Sequence, residues 1–387
     1  MAADRSSIGL ILLLYGAGLG AAAQLGKIAS SFPMLREAYP ASDVVQGLLL
    51  SLVSLMGVVL GVVAGQLVAS QGYKRMLVAG LALGGAMSLL QALLPPLPVF
   101  MASRLIEGLS HLAIVVAAPT LINLVTAERH RYLSMTLWSS FFGVAFAVLA
   151  FVAPVVLPIT GLGGFYGWHG AYMLLFAALI AMVLPASGVS RSALPGLKDA
   201  LMRHVSAYSS PRESPAALGW LCYTLTYVSI LTVLPPYLPA DQRVMIATIL
   251  PLASILSSFV IGAGLMRFLT AVTVTQIGFI TAACAAAWLM VSGISPAPLV
   301  AIFLALGLVQ SASFAVIPEL NTTAEGQALA TGAVAQTGNL GNALGTPLLL
   351  ALVGALGVTA LPMALIALYL LGIAAHEVTK WRRAAQG

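Results

Sequence analysis

Charge is scarce in this chain. Asp and Glu number 11, and Lys and Arg 17, in 387 residues, so only 7% of positions are charged; a water-soluble domain carries about a quarter. So few charges do not cover a surface in contact with water, which argues against a soluble enzyme, a nucleic-acid binder and a disordered scaffold. Cysteine is scarcer still. Cys222 and Cys284 both lie in apolar stretches, so no disulfide framework is implied and both are expected to be buried structural thiols. There is no nucleophile elbow, phosphate loop or convincing metal-ligand cluster. Neither catalysis nor a cofactor or resident metal is expected, and a receptor without flux lacks the soluble signalling domain it would usually carry.

What the chain does have is apolar length. Hydrophobic residues make up 60% and the mean hydropathy is +1.03, so its main solvent is expected to be lipid. A helix crossing hydrocarbon needs roughly 20 apolar residues, and loop signals cut the sequence into twelve such pieces. They fall near residues 8–32, 44–69, 76–94, 97–127, 132–157 and 166–184, then 215–238, 244–266, 271–291, 298–316, 327–353 and 357–375. The one long polar interruption gives an N-terminal six-helix bundle (residues 1–186), a cytoplasmic linker (187–214) and a C-terminal six-helix bundle (215–387).

The basic residues orient these spans. With the N-terminus inside, thirteen of the seventeen fall in inside segments: Arg5, Lys74, Arg75, Arg129, Arg131, Arg191, Lys198, Arg203, Arg212, Arg267, Lys380, Arg382 and Arg383. Arg36 and Arg243 fall outside. This is the positive-inside distribution; it places both termini in the cytoplasm and reads the net charge of +6 as topology, with no nucleic-acid partner implied. Arg5, an apolar run and Ala21-Ala22-Ala23 imitate a cleaved signal peptide, but removing that span would scramble the charge sorting. It is expected to remain as a helix. Six plus six helices point to a secondary transporter built from repeats, which binds its solute near the bilayer midplane and alternates access by rocking.

Ionisable groups within spans are costly and normally face a cavity or a partner. Lys27 lies six residues before Pro33, roughly 9 Å from that end at 1.5 Å per residue. Arg104 lies seven residues beyond Leu97, about 10 Å from the same side on an antiparallel helix. Arg104, Glu107, Gly108 and His111 share a helix face, so Lys27, Arg104 and Glu107 are expected to meet, with His111 a turn deeper. Such a cluster either binds cargo and carries a proton on Glu107 or His111, or is a structural ion pair tying two helices. Further polar or aromatic groups are Gln24 in the first span and Trp138 in the fifth. The C-terminal half adds Tyr223, Tyr227, Gln310, Gln336 and Asn339. Amides with Tyr and Trp suit a flat, neutral ring system with polar edges; interhelical packing is the plainer alternative. Thr337, Gly341 and Gly345 repeat at four-residue spacing, so a neighbouring helix can approach closely.

Residues 65–75 (GQLVASQGYKR) resemble the loop signature of the major facilitator superfamily. The two glycines, the leucine and the basic pair match, whereas Ala69 stands where the acidic residue usually is. Arg104 followed by Gly108 is similar to that family's second motif. The resemblance implies a twelve-helix, all-α integral membrane fold in which the polar groups above border one cavity, with Arg104 often a structural anchor. Residues 15–29 (YGAGLGAAAQLGKIA), 102–122, 136–147 and 336–347 (QTGNLGNALGTP) further resemble an alphaproteobacterial branch holding riboflavin importers and copper importers. Import, rather than export, rests on this resemblance alone, as does a cell inner membrane location.

Chemistry separates the two cargos. Cu(I) prefers thioether or thiolate ligands, yet no two of the 14 methionines lie four apart, and the one His-x-x-x-Met pair is His169 with Met173. That pair is expected at the outer end of a peripheral helix. Riboflavin, neutral and flat, is the favoured cargo, possible proton symport included; a drug or metabolite exporter and a copper importer are the alternatives.

Overall fold

The computed structural model describes residues 7–127, 130–184 and 197–385, which are helical with no strand among them. Arg5, Arg129 and Arg191 lie outside these ranges, as do the side chains of Gln66, Ala69, Arg131, Lys198 and Arg203 within helices. In chain order the helices are α1 (Ile8–Ala38), α2 (Asp43–Gln71), α3 (Tyr73–Ala92), α4 (Leu97–Leu124), α5 (Arg131–Ser139), α6 (Phe141–Val183) and α7 (Leu197–Ser209). They continue with α8 (Ser214–Val233), α9 (Arg243–Leu256), α10 (Ala263–Leu265), α11 (Ala271–Ser292), α12 (Pro296–Leu320), α13 (Ala324–Leu356) and α14 (Ala360–Ala384). A π-turn, Ser257–Gly262, joins α9 to α10, so these three pieces make one span.

Among the described residues, eleven helices are long and apolar enough to cross a bilayer, one fewer than the expected twelve spans. The difference lies in α6, 43 residues long and broken at Gly161 (φ 64°, ψ −174°). Before the break the chain runs parallel to α1: Gly18 faces Trp138 and Phe141, and Gly26 faces Leu149. Beyond it the direction reverses, with Met173 against Gly20 and Phe176 against Gly16. The segment labelled α6 is therefore two helical arms joined at Gly161, antiparallel to each other, which hold the fifth and sixth spans.

Gly161 sits in a backbone region that is essentially restricted to glycine. Nothing lies within 4 Å of where a Cβ would be, so only conformation stands against a larger residue. Gly161→Ala is expected to destabilise the protein by about 1–3 kcal/mol, read as a lower melting temperature in detergent. An unchanged melt would mean that the reversal relaxes into another turn.

Packing divides the chain into two compact units, Met1–Ala41 with Leu52–Pro195, and Ser42–Ser51 with Gly196–Gly387. The early turns of α2 thus group with the second unit. In each unit the burial pattern is that of a protein in oil. Large apolar side chains such as Ile159, Phe268 and Val291 are 79%, 86% and 85% exposed, whereas many buried positions are small or polar. Hydrocarbon gives apolar side chains no reason to hide, so close packing and hydrogen bonds hold the helices together.

In the first unit Gly108 of α4 lies against the Val53 carbonyl of α2, without room for a Cβ. In the second, Gly341 and Gly345 of α13 lie against Thr224, Leu225 and Ser229 of α8, the close approach that their four-residue spacing anticipates. Three expectations need correction. Cys284 is exposed on α11; only Cys222 is buried. The interruption between the halves contains a 13-residue helix, α7. Helix α1 runs through Pro33 to Ala38, so Lys27 is eleven residues from its end, roughly 16 Å rather than 9 Å.

The 65–75 stretch closes α2 and opens α3 through Gly72, whose φ of 90° favours glycine. Lys74 donates to the carbonyls of Ala181, at 2.9 Å, and Leu184. A cation there satisfies open carbonyls at the C-terminus of α6 and complements its dipole.

Candidate functional site

Helices α1 and α4 run antiparallel in a fixed register. The Tyr39 hydroxyl, at the end of α1, donates to the Pro95 carbonyl just before α4. Lys27 lies twelve residues before Tyr39 and Glu107 twelve after Pro95, and the two meet at 2.8 Å. One turn on, Gln24 Nε2 donates to Ser110 Oγ at 2.8 Å. Register therefore brings Lys27 to Glu107, even though the depth inferred for Lys27 from its helix end was incorrect; that of Arg104, counted from Leu97, holds.

Glu107 is the centre of the cluster. Its Oε1 accepts from Lys27 and, at 3.3 Å, from Ser88; its Oε2 accepts from Arg104 and, at 2.9 Å, from Gln91. Lys27, Arg104 and Glu107 are all fully buried. The Lys27 ammonium also donates to Ser88 Oγ at 2.6 Å and lies 5.6 Å from the centre of the Tyr166 ring. Burying charge is costly unless it is paired and hydrogen-bonded. Here one carboxylate serves two cations and two neutral donors drawn from α1, α3 and α4.

His169 completes the group. Its Nε2 lies 3.0 Å from the Gly20 carbonyl, which can only accept, so Nε2 carries the hydrogen. In the neutral ring Nδ1 is then an acceptor, 2.8 Å from Ser88 Oγ and 3.5 Å from Lys27 Nζ, so the single Ser88 hydroxyl hydrogen is shared between Nδ1 and the longer contact to Glu107. The expected peripheral place for this residue is corrected: it is buried against Lys27. Sequence reading also missed Ser88, Gln91, Ser103 and Tyr166. The available signal was spacing, since Ser88 and Gln91 are three residues apart in α3 as Arg104 and Glu107 are in α4.

The other candidates are placed elsewhere. His111 directs Nδ1 to the Ala21 carbonyl at 3.1 Å and sits edge-on to Phe142. Trp138 stacks on Phe141 at 4.6 Å, beside Gly18. In the second unit Tyr223 and Tyr227 lie 5.2 Å apart, and Gln310 Oε1 accepts from Tyr223 and Ser254 at 3.3 Å each. Asn339 Nδ2 bonds back to Ala335 O of its own helix at 2.8 Å.

Gln336 faces α7. Its Oε1 accepts from the Tyr208 hydroxyl, and its Nε2 donates to His204 Nε2, both at 2.9 Å. Burial pushes the Tyr208 phenol up to about 12, so it stays a donor at neutral pH. Gln336→Ala removes both bonds, each worth about 1 kcal/mol. Residues 197–209 are expected to exchange their amide hydrogens faster, with the spans unaffected; unchanged exchange would show that other contacts hold α7.

Among the described residues, eleven apolar helices of spanning length with an ion cluster closed among them define a multi-pass membrane protein. Residues 8–346 match the Major Facilitator Superfamily, and the chain belongs to it: it is a multi-pass secondary transporter with a small-molecule substrate. No curated protein matches the chain closely.

Proposed function

We propose that the chain imports a small, neutral, polar-aromatic solute, with riboflavin the best candidate, across the cell inner membrane by alternating access. Both termini are cytoplasmic, and residues 1–186 and 215–387 act as the two moving bundles joined by 187–214. The observation that carries this reading is the sealed Lys27–Arg104–Glu107 group, because charge kept inside an apolar bundle is retained for work. Proton symport runs through Glu107, with His111 one turn along α4 as the other titrating group. Tyr223, Tyr227 and Gln310 supply stacking faces and an amide, which suits an uncharged ring system. Gln24, Trp138, Gln336 and Asn339 remain candidate contacts, although Gln336 and Asn339 are already engaged by α7 and by α13 itself.

The copper alternative is weakened by His169, since both ring nitrogens are engaged in hydrogen bonds and neither is open to Cu(I). Growth of a riboflavin auxotroph lacking its own importer, at limiting vitamin, tests the cargo; rescue is expected from this chain and not from Glu107→Gln. No rescue, with the protein present in the membrane, overturns the riboflavin reading. Vesicle uptake indifferent to an imposed pH gradient overturns proton symport.

A further inference from the structure

The first unit contains a cavity of about 410 Å³ between α1 and the two arms of α6. Its walls are almost wholly apolar. Leu19 and Ala23 of α1, Ala145 and Leu149 of the first arm and Phe165 of the second contribute to them, with Lys27 and His169 also among the lining. The volume is that of a site for a small ligand, typically roughly 300–1,000 Å³.

What it opens toward follows from its exposed lining residues, Val148 on the first arm and Trp168 on the second, and from the stripes that the same arms carry beside it. On the first arm Phe151, Val155 and Ile159, at four-residue steps, are 65%, 61% and 79% exposed. On the second arm Trp168, Leu175 and Met182, seven residues apart, are 67%, 55% and 73% exposed. Two stripes of exposed, wholly apolar side chains on a membrane-spanning hairpin face hydrocarbon.

We propose that this cavity is a lateral lipid site, occupied by one acyl chain of a bilayer phospholipid that enters between the two arms of α6 and lies against α1. An acyl chain is the one occupant that the walls and edges both favour. The polar groups in the lining, Lys27, His169 and Tyr172, already bond protein partners, and water needs two to four partners to be held. The surrounding oil supplies chains without any cost of transfer from water. The seated chain covers Lys27 and His169 from the side of the bilayer, making the site a route by which lipids or membrane-soluble compounds act on the ion cluster. This inference is independent of the identity of the cargo.

The test uses the full-length protein in vesicles of phosphatidylcholine carrying a photoactivatable diazirine in one acyl chain, with labelled residues mapped by mass spectrometry. Labels are expected on Leu19 and Ala23 as well as on the exposed stripes. Both α1 residues line the cavity and are only partly exposed, so their labelling reads out entry into it. A filling variant, Ala145→Phe, should reduce α1 labelling at least fivefold while labels on Phe151, Ile159, Leu175 and Met182 persist. Labelling confined to the stripes in the unmodified protein would overturn the proposal. So would α1 labelling that survives Ala145→Phe in a protein whose stripe labels show it to be folded.

Discussion

Glu107→Gln is expected to reduce the initial rate of cargo uptake more than tenfold and to lower stability by about 3–5 kcal/mol, the cost of breaking a buried ion pair from one side. The variant still inserts, because its spans are unchanged. The reason for the size of the effect is arithmetic of charge. Glutamine keeps the shape of the side chain but leaves Lys27 and Arg104 without the carboxylate they share. Lys27→Met makes the asymmetry visible, since the Arg104–Glu107 pair survives it. Its stability loss is expected to be well below that of Glu107→Gln, while its transport defect is just as deep. Uptake in membrane vesicles, normalised to protein abundance, and thermal unfolding in detergent measure the two effects separately. A Lys27→Met protein of normal abundance and normal uptake would reduce the cluster to a structural brace.

Gly345→Leu is expected to abolish accumulation of folded protein. A Cβ at Gly345 would meet the Leu225 carbonyl and Ser229 Oγ of α8, and backbone cannot swing aside as a side-chain tip can. Overpacking costs about 1–3 kcal/mol, occasionally more, and here the extra volume must separate two helices whose attraction depends on close approach. Gly332 of the same helix is the control. Nothing lies within 4 Å of its Cβ position, so Gly332→Ala should gain up to about 1 kcal/mol, the difference in helix propensity. Size-exclusion profiles and melting temperatures of the two variants should move in opposite directions. If both moved together, the small residues of α13 would matter for helix propensity and not for packing.

The candidate site was legible in proportion to how local its signals were. Arg104, Glu107, Gly108 and His111 declare a shared face through their spacing in one helix, and Lys27 stands out because a lysine is costly in oil. His169 carried no such mark. Its nearest partners in space, Lys27, Ser88 and the Gly20 carbonyl, are 142, 81 and 149 residues away in sequence, and only the reversal at Gly161 brings it to them. The partners of Gln336, Tyr208 and His204, are likewise far away in sequence, 128 and 132 residues. A polar side chain on an amphipathic face looks available, but α7, itself unforeseen as a helix, engages it. The exposure of Cys284 was hidden because an apolar neighbourhood in sequence does not distinguish a buried seam from a lipid-facing side.

Composition by itself determined the solvent. With so little charge the chain is driven into lipid, and once there each span must close its own backbone hydrogen bonds, so the helices and their class follow from local chemistry. Which polar groups meet was decided only in the tertiary structure. Oil is indifferent to which apolar face a helix turns toward it, so rotation and register are set by steric fit at small residues and by the mutual neutralisation of buried charges, both properties of pairs of helices far apart in the chain.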